Sequence, residues 1–195
     1  MPMPMPPTKT RMISAMTTLL QEQGYNASGV SEILEASHAP KGSLYHHFPG
    51  GKVQLAAAAV DESRQRIMHT LQTLKNSGRD PVRTIETFVN LYIRQMQTSD
   101  FAHGCPVATV TLETAASVDL LQTGARQFFD ELAGFITTIL SERGLEHATA
   151  ATQAVIIISI IEGALILSRA QRSTQPLVTA RDFITTQLRG LFEPV

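Results

Sequence analysis

One run of this chain admits few folds. Ala154–Leu167 reads AVIIISIIEGALIL and leaves almost no polar side for solvent. A helix that is apolar all round must be covered on every side. A membrane span needs about 20 consecutive apolar residues. This run is shorter and carries Ser159, Glu162 and Gly163 inside it, so insertion into a membrane is not expected. In a chain of 195 residues, one flank can rest on the chain's own helices while the other meets a second subunit. The run therefore predicts an obligate homodimer built through the helices around 154–167 and 178–192. Phe183, Ile184, Leu188 and Leu191 sit on the second of these. The alternative is the central helix of a monomeric core.

The rest of the chain is helical by pattern. Met12, Ile13, Met16, Leu19 and Leu20 recur at three- and four-residue spacing, which puts them on one helix face between a capping Thr8 and a terminating Gly24. The same spacing runs from Val53 to Leu74. It returns after a capping Asp80 and a Pro81 at the first helical position, and ends near Ser99. Gly104 and Pro106 mark a loop that feeds a helix over 107–116, and three further helices are expected over 118–143, 146–172 and 178–192. No segment alternates with period two between hairpin turns, so no sheet is expected. Hydrophobic residues make up 43% of the chain and the net charge is only -1, which excludes a disordered polyelectrolyte. A single cysteine, Cys105, cannot close an intrachain disulfide, and the chain reads as cytoplasmic. Residues 1–7 alternate Met and Pro without an apolar core and read as a flexible tail rather than a targeting segment.

Between Gly24 and Lys52 the elements shorten. Val30–Ala36 is one short helix, opened by Ser28 or Gly29. Ser37–Pro40 makes a turn, and Lys41–Phe48 forms a second short helix. Neither would persist alone in water. Two short helices across a tight turn, braced by a longer preceding helix, form a helix-turn-helix, whose second helix enters the major groove of DNA. No Asp or Glu occurs from Ala36 to Val60, whereas His38, Lys41, His46, His47 and Lys52 all do, so the motif is locally positive in a neutral chain. Lys41 and Ser43 stand where side chains reach base edges, and Gly42 lets the backbone approach. Tyr45 and His46 share the exposed side, and Leu44 and Phe48 face inward. Lys52 opens the next helix, where an ammonium and nearby amides suit a phosphate.

Gly24–Leu55, GYNASGVSEILEASHAPKGSLYHHFPGGKVQL, resembles the DNA-binding motif of the TetR family of bacterial transcriptional repressors. Gly24-Tyr25, Val30, Ile33, Ala36, Lys41 to Phe48 and Lys52 carry the likeness. It implies an all-α homodimer: a three-helix helix-turn-helix domain, taken as 8–52, and a larger helical ligand-binding and dimerisation domain, taken as 53–195. It also implies DNA contacts at Ser28, Lys41, Gly42, Ser43, Tyr45, His46, His47 and Lys52. Two departures stand out. Ser37 occupies the place of the glycine usual in the turn, and Pro49-Gly50-Gly51 makes the approach to Lys52 one residue longer than the commonest spacing. That variant, with Gly104-Cys105-Pro106-Val107-Ala108 and Leu112-Glu113, resembles the LmrA and YxaF branch. The branch implies repression of efflux or modifying-enzyme genes, relieved by planar aromatic compounds.

The expected effector site is an apolar pocket between helices. Phe88, Tyr92 and Met96 share one face, and Phe128, Leu132 and Phe135 share another, though aromatics at helical spacing also serve simply as core. His103 and Cys105 flank Gly104 and suggest a polar end to the pocket. Glu162 either accepts a hydrogen bond from a ligand or pairs with Arg169 across the dimer. Arg64 and Arg66 form a solvated helix face or relay the effector signal. Neighbouring His46 and His47 point about 100° apart on a helix, and no carboxylate or thiolate completes a set, so neither a metal site nor a cofactor is expected. The partners expected are double-stranded operator DNA, a small-molecule effector and a second copy of the chain, with half-sites about 34–36 Å apart or a little more. Two other classes compete: a small helical enzyme using Cys105 and His103, and a dimeric ligand carrier with a vestigial DNA domain.

Overall fold

The computed structural model describes residues 5–192. The outermost part of the tail expected over 1–7 therefore lies outside the described residues, and Met5, Pro6 and Pro7 are exposed. Among the described residues every regular element is a helix: α1 (Thr8–Glu22), α2 (Gly24–Ala27), α3 (Val30–Ala36), α4 (Ser43–His47), α5 (Gly51–Asn76), α6 (Pro81–Thr98), α7 (Pro106–Thr114), α8 (Asp119–Glu142), α9 (His147–Gln171) and α10 (Gln175–Phe192).

The helix ends follow from local chemistry. Asp80 caps α6, its carboxylate accepting the Arg83 N–H at 3.1 Å, with Pro81 at the first position where no donor is needed. Glu146 caps α9 by accepting from the backbone N–H groups of Ala148 and Thr149 at 2.9 and 2.8 Å. Cys105 opens α7 through a thiol contact with the Ala108 N–H at 3.4 Å. Thr8, expected as a cap, instead lies inside α1. Pro7 precedes the helix and offers no side-chain acceptor.

The chain divides into two compact units, one formed by the residues up to Gln65 with Cys105–Phe128, the other by Arg66–Gly104 with Phe129 onward. In the first unit, α1 packs on α2, α3 and α7, and α7 also packs on α2. Met12, Met16, Leu20, Ile33, Leu44, Phe48 and Leu55 are buried there.

In the second unit, α10 packs on α9 and α6, and α9 packs on α6. α9 is long and apolar enough to cross a membrane by length and composition. Yet Ala150, Ala154, Ile157, Ile161, Ala164, Leu165 and Ser168 are buried along one side of it. Its other side leaves Val155 (59%), Ile156 (42%), Ile166 (56%) and Leu167 (51%) open, and on α10 Phe183 (52%) and Leu191 (41%) are open as well.

Candidate nucleic-acid interface

The turn between α3 and α4 is fixed from outside. Arg11 of α1 donates from Nε to the Ser37 carbonyl at 2.9 Å and from Nη2 to the His38 carbonyl at 3.2 Å, while its Nη1 donates to Pro6 at 2.7 Å. The Ser37 and His38 carbonyls lie at the C-terminus of α3, where a guanidinium suits both hydrogen bonding and the helix dipole. Ser37 itself is right-handed, with φ -87°, and its hydroxyl donates back to the Ile33 carbonyl. The left-handed residue is His38, with φ 48°. The conformational demand met by glycine in related turns therefore falls one residue later than the sequence suggested.

The recognition helix is shorter than expected at its start. Gly42 has φ 88°, a left-handed conformation that an α-helix cannot contain, so α4 begins at Ser43 and Lys41 belongs to the turn. Leu44 and Phe48 are buried at 1% and 2% exposure, and this anchors the helix to the unit's core. Lys41, Gly42, Tyr45 and His46 are exposed, Tyr45 to 65%, whereas Ser43 and His47 are half-buried. The Ser43 hydroxyl donates to the Pro40 carbonyl at 2.6 Å, and the His46 and His47 rings meet edge to face at 4.8 Å.

The longer link before α5 has a definite use. Gly51, with φ 64°, receives the Tyr45 ring so closely that a Cβ there would stand 3.2 Å from Tyr45 Cε1. The Gly51 N–H donates to the Phe48 carbonyl at 2.7 Å, and the Gly50 N–H donates to Gln54 Oε1 at 2.9 Å. The extra residue thus closes onto the recognition helix and supports its tyrosine.

Lys52 is half-buried, with Nζ 4.3 Å from the centre of the Tyr25 ring. Burial pushes its pKa below the ordinary lysine value, and the Glu113 carboxylate opposes that fall. Burial also raises the Tyr25 phenol. The stretch from Ala36 to Val60 has no acid of its own, yet the fold delivers one from α7. Ser28, expected at the DNA face, is fully buried, and its hydroxyl donates to the Gly24 carbonyl at 2.5 Å. It shapes the corner between α2 and α3.

The residues expected around an effector fall in both units. Phe88, Tyr92 and Met96 are buried on α6, with the Phe88 and Tyr92 rings edge to face at 5.1 Å. Leu132 is buried in the same unit, where His103, Phe135 and Glu162 are half-buried. Phe128 and Cys105 belong to the first unit and are buried. Sequence reasoning did not single out Arg11 for the interface. Its sequence signal is slight: an arginine beside the apolar face of a first helix that carries Lys9 as well.

A short, anchored helix with an exposed tyrosine and histidine, led by an exposed lysine in the turn before it and braced by α1, defines a DNA-binding module of the helix-turn-helix class. Residues 12–59 match the tetR family of bacterial regulatory proteins, and residues 81–183 match the C-terminal domain of LmrA/YxaF-like transcriptional regulators. The chain belongs to the TetR family of transcriptional regulators, with an LmrA/YxaF-like C-terminal domain. It is 32% identical to the HTH-type transcriptional regulator LmrA of Bacillus subtilis across 88% of this chain and 91% of that protein. To the HTH-type regulator YxaF of the same organism it is 31% identical across 93% and 95%. A TetR transcriptional regulator crystal structure from Legionella pneumophila superposes with TM-score 0.88 at 25% identity, covering 95% of this chain and 99% of that one. Family and relatives are regulators, not enzymes, which sets aside the reading of Cys105 and His103 as catalytic.

Proposed function

We propose that the chain is a repressor that binds a palindromic operator as a homodimer and releases it when a small, planar aromatic effector binds. The observation that carries this reading is α4 itself: Leu44 and Phe48 are buried while Tyr45 is 65% exposed. Lys41, Gly42, Ser43, Tyr45, His46 and His47 are assigned to the major groove, and Lys52 to a flanking phosphate. Lysine and histidine donate to phosphate oxygens and base acceptors, and the tyrosine ring packs on thymine methyls.

Dimerisation is supported by the open apolar side chains of α9 and α10. Ile166, Leu167 and Phe183 are each more than half exposed, an arrangement that water disfavours and a second copy would cover. The buried cluster of Phe88, Tyr92 and Met96 on α6 supports a flat effector, because aromatic edges and a flexible thioether adapt to planar rings. Release requires only that the effector prefer a conformation in which the two recognition helices no longer match the half-site spacing. An intracellular operator places the protein in the cytoplasm.

The experiment is fluorescence anisotropy of the full chain on labelled duplexes from the DNA flanking its gene. A specific complex is expected, weakened about tenfold or more by Tyr45→Ala. A Tyr45→Ala variant that binds the specific duplex as tightly as the wild type would refute the assignment of α4.

A further inference from the structure

Glu113 stands 87 positions from the residue it holds. From α7, its Oε2 accepts the Asn26 backbone N–H at 2.7 Å. Its Oε1 lies so near Gly24 that a Cβ there would come within 1.9 Å. Gly24 also has φ 85°, a left-handed conformation that favours glycine, and a Cβ there would displace the Glu113 carboxylate. Between these two residues comes Tyr25, whose ring carries the Lys52 ammonium at 4.3 Å. One carboxylate therefore fastens the corner that seats the lysine opening α5, and its charge bears on that same lysine. The segment bearing Glu113, Cys105–Phe128, is joined at both ends of the chain path to residues of the other unit.

We propose that Glu113 is a positioning residue for operator binding: by holding Gly24–Asn26 it sets, through Tyr25, where the Lys52 ammonium stands. The role rests on the assignment of Lys52 to a phosphate made above. Glu113 touches no DNA in this account, and its charge alone would repel phosphate. Its benefit comes from the hydrogen bond to Asn26. Any rearrangement of Cys105–Phe128 that withdraws the carboxylate releases the corner and moves Lys52, so this contact is where a change in that segment reaches the DNA-binding surface.

The test uses the full chain with Glu113→Ala and Glu113→Gln, on a duplex that the wild type binds, over a series of salt concentrations. Glu113→Ala is expected to weaken binding about tenfold. Its salt slope should fall, because a displaced Lys52 neutralises one phosphate fewer. Glu113→Gln keeps an oxygen that accepts from Asn26 and should retain most of the affinity and the slope. Amide exchange at Asn26 should quicken in the alanine variant and stay slow in the glutamine variant. A wild type that binds no duplex overturns the operator reading and this role with it. A wild type that binds, with Glu113→Ala equal to it, overturns the positioning role alone. Equal losses in the two variants, or losses that track only a lower melting temperature, also overturn it.

Discussion

The Lys52 ammonium stands 4.3 Å from the centre of the Tyr25 ring, joining the first residues of α5 to α2. A cation over an aromatic face contributes about 0.5–1 kcal/mol at a partly exposed site. The larger consequence concerns DNA, because the ring fixes a charge that would otherwise swing on four methylenes. Lys52→Ala should weaken binding to all duplexes alike and reduce the salt slope by about 1, the mark of one lost phosphate contact. Tyr25→Leu should lower affinity and reduce the slope by less than Lys52→Ala does, because an ammonium freed from the ring still reaches the phosphate part of the time. Titrations of both variants between low and moderate salt would separate the two effects.

Arg11 makes the complementary restraint on the other side of the motif. Its guanidinium ties the Ser37 and His38 carbonyls to α1. Arg11→Ala leaves both without that donor, at a cost of about 1–3 kcal/mol. The expected result is a lower Tm together with weaker operator binding. Arg11→Lys should recover only part of each, since a single ammonium cannot reproduce the forked geometry. Thermal melts and anisotropy on the same preparations check both.

Gly51 supports Tyr45 by having no side chain. With φ 64° and the Tyr45 ring against it, Gly51→Ala adds backbone strain of about 1 kcal/mol or more and pushes the ring outward. Affinity for the cognate duplex should fall more than affinity for random DNA. The ratio of the two, measured by competition, reads the change.

The open side of α9 and α10 makes a prediction about assembly. Ile166→Glu with Leu167→Glu places charges where a second copy is expected to pack, and buried unpaired charge is strongly unfavourable. Analytical ultracentrifugation should find a dimer for the wild type and a monomer for the double variant. Operator affinity should collapse with the dimer, because two half-sites are no longer held by one molecule.

Glu146 predicts a pH dependence. Its two backbone hydrogen bonds, to Ala148 and then Thr149, hold its pKa below the ordinary carboxylate value. A carboxylate depressed in the folded state binds its proton more readily when unfolded. Its stabilisation is therefore complete above the unfolded value and is lost as pH falls through the folded one. Glu146→Ala should melt below the wild type at neutral pH, and the two melting curves should converge in acid.

Much of this architecture was legible because helices announce themselves locally. The bounds of α3, Val30–Ala36, follow from Val30 and Ile33 at helical spacing, with Gly29 ahead of them and Ser37 behind. α2 escaped notice because four residues carry no period. The start of α4 was misplaced because composition does not reveal that Gly42 is left-handed. The burial of Ser28 was equally hidden, since a small hydroxyl suits a solvent face or a closed corner, and only the packing of α2 against α1 and α7 decides between them. Glu113 belongs to the same class. The Leu112-Glu113 pair was visible as a motif, yet its contact with Gly24 and Asn26 arises only when α7 packs on α2.

The most direct measurement is selection of bound sequences from a randomised duplex library by the full-length chain, with Tyr45→Ala and Lys41→Ala run in parallel. The wild type should enrich an inverted repeat whose half-sites lie one helical turn apart or somewhat more. Lys41→Ala should relax the repeat and Tyr45→Ala should abolish it. No enrichment by the wild type, or the same repeat recovered by all three proteins, would contradict the placement of α4 in the major groove.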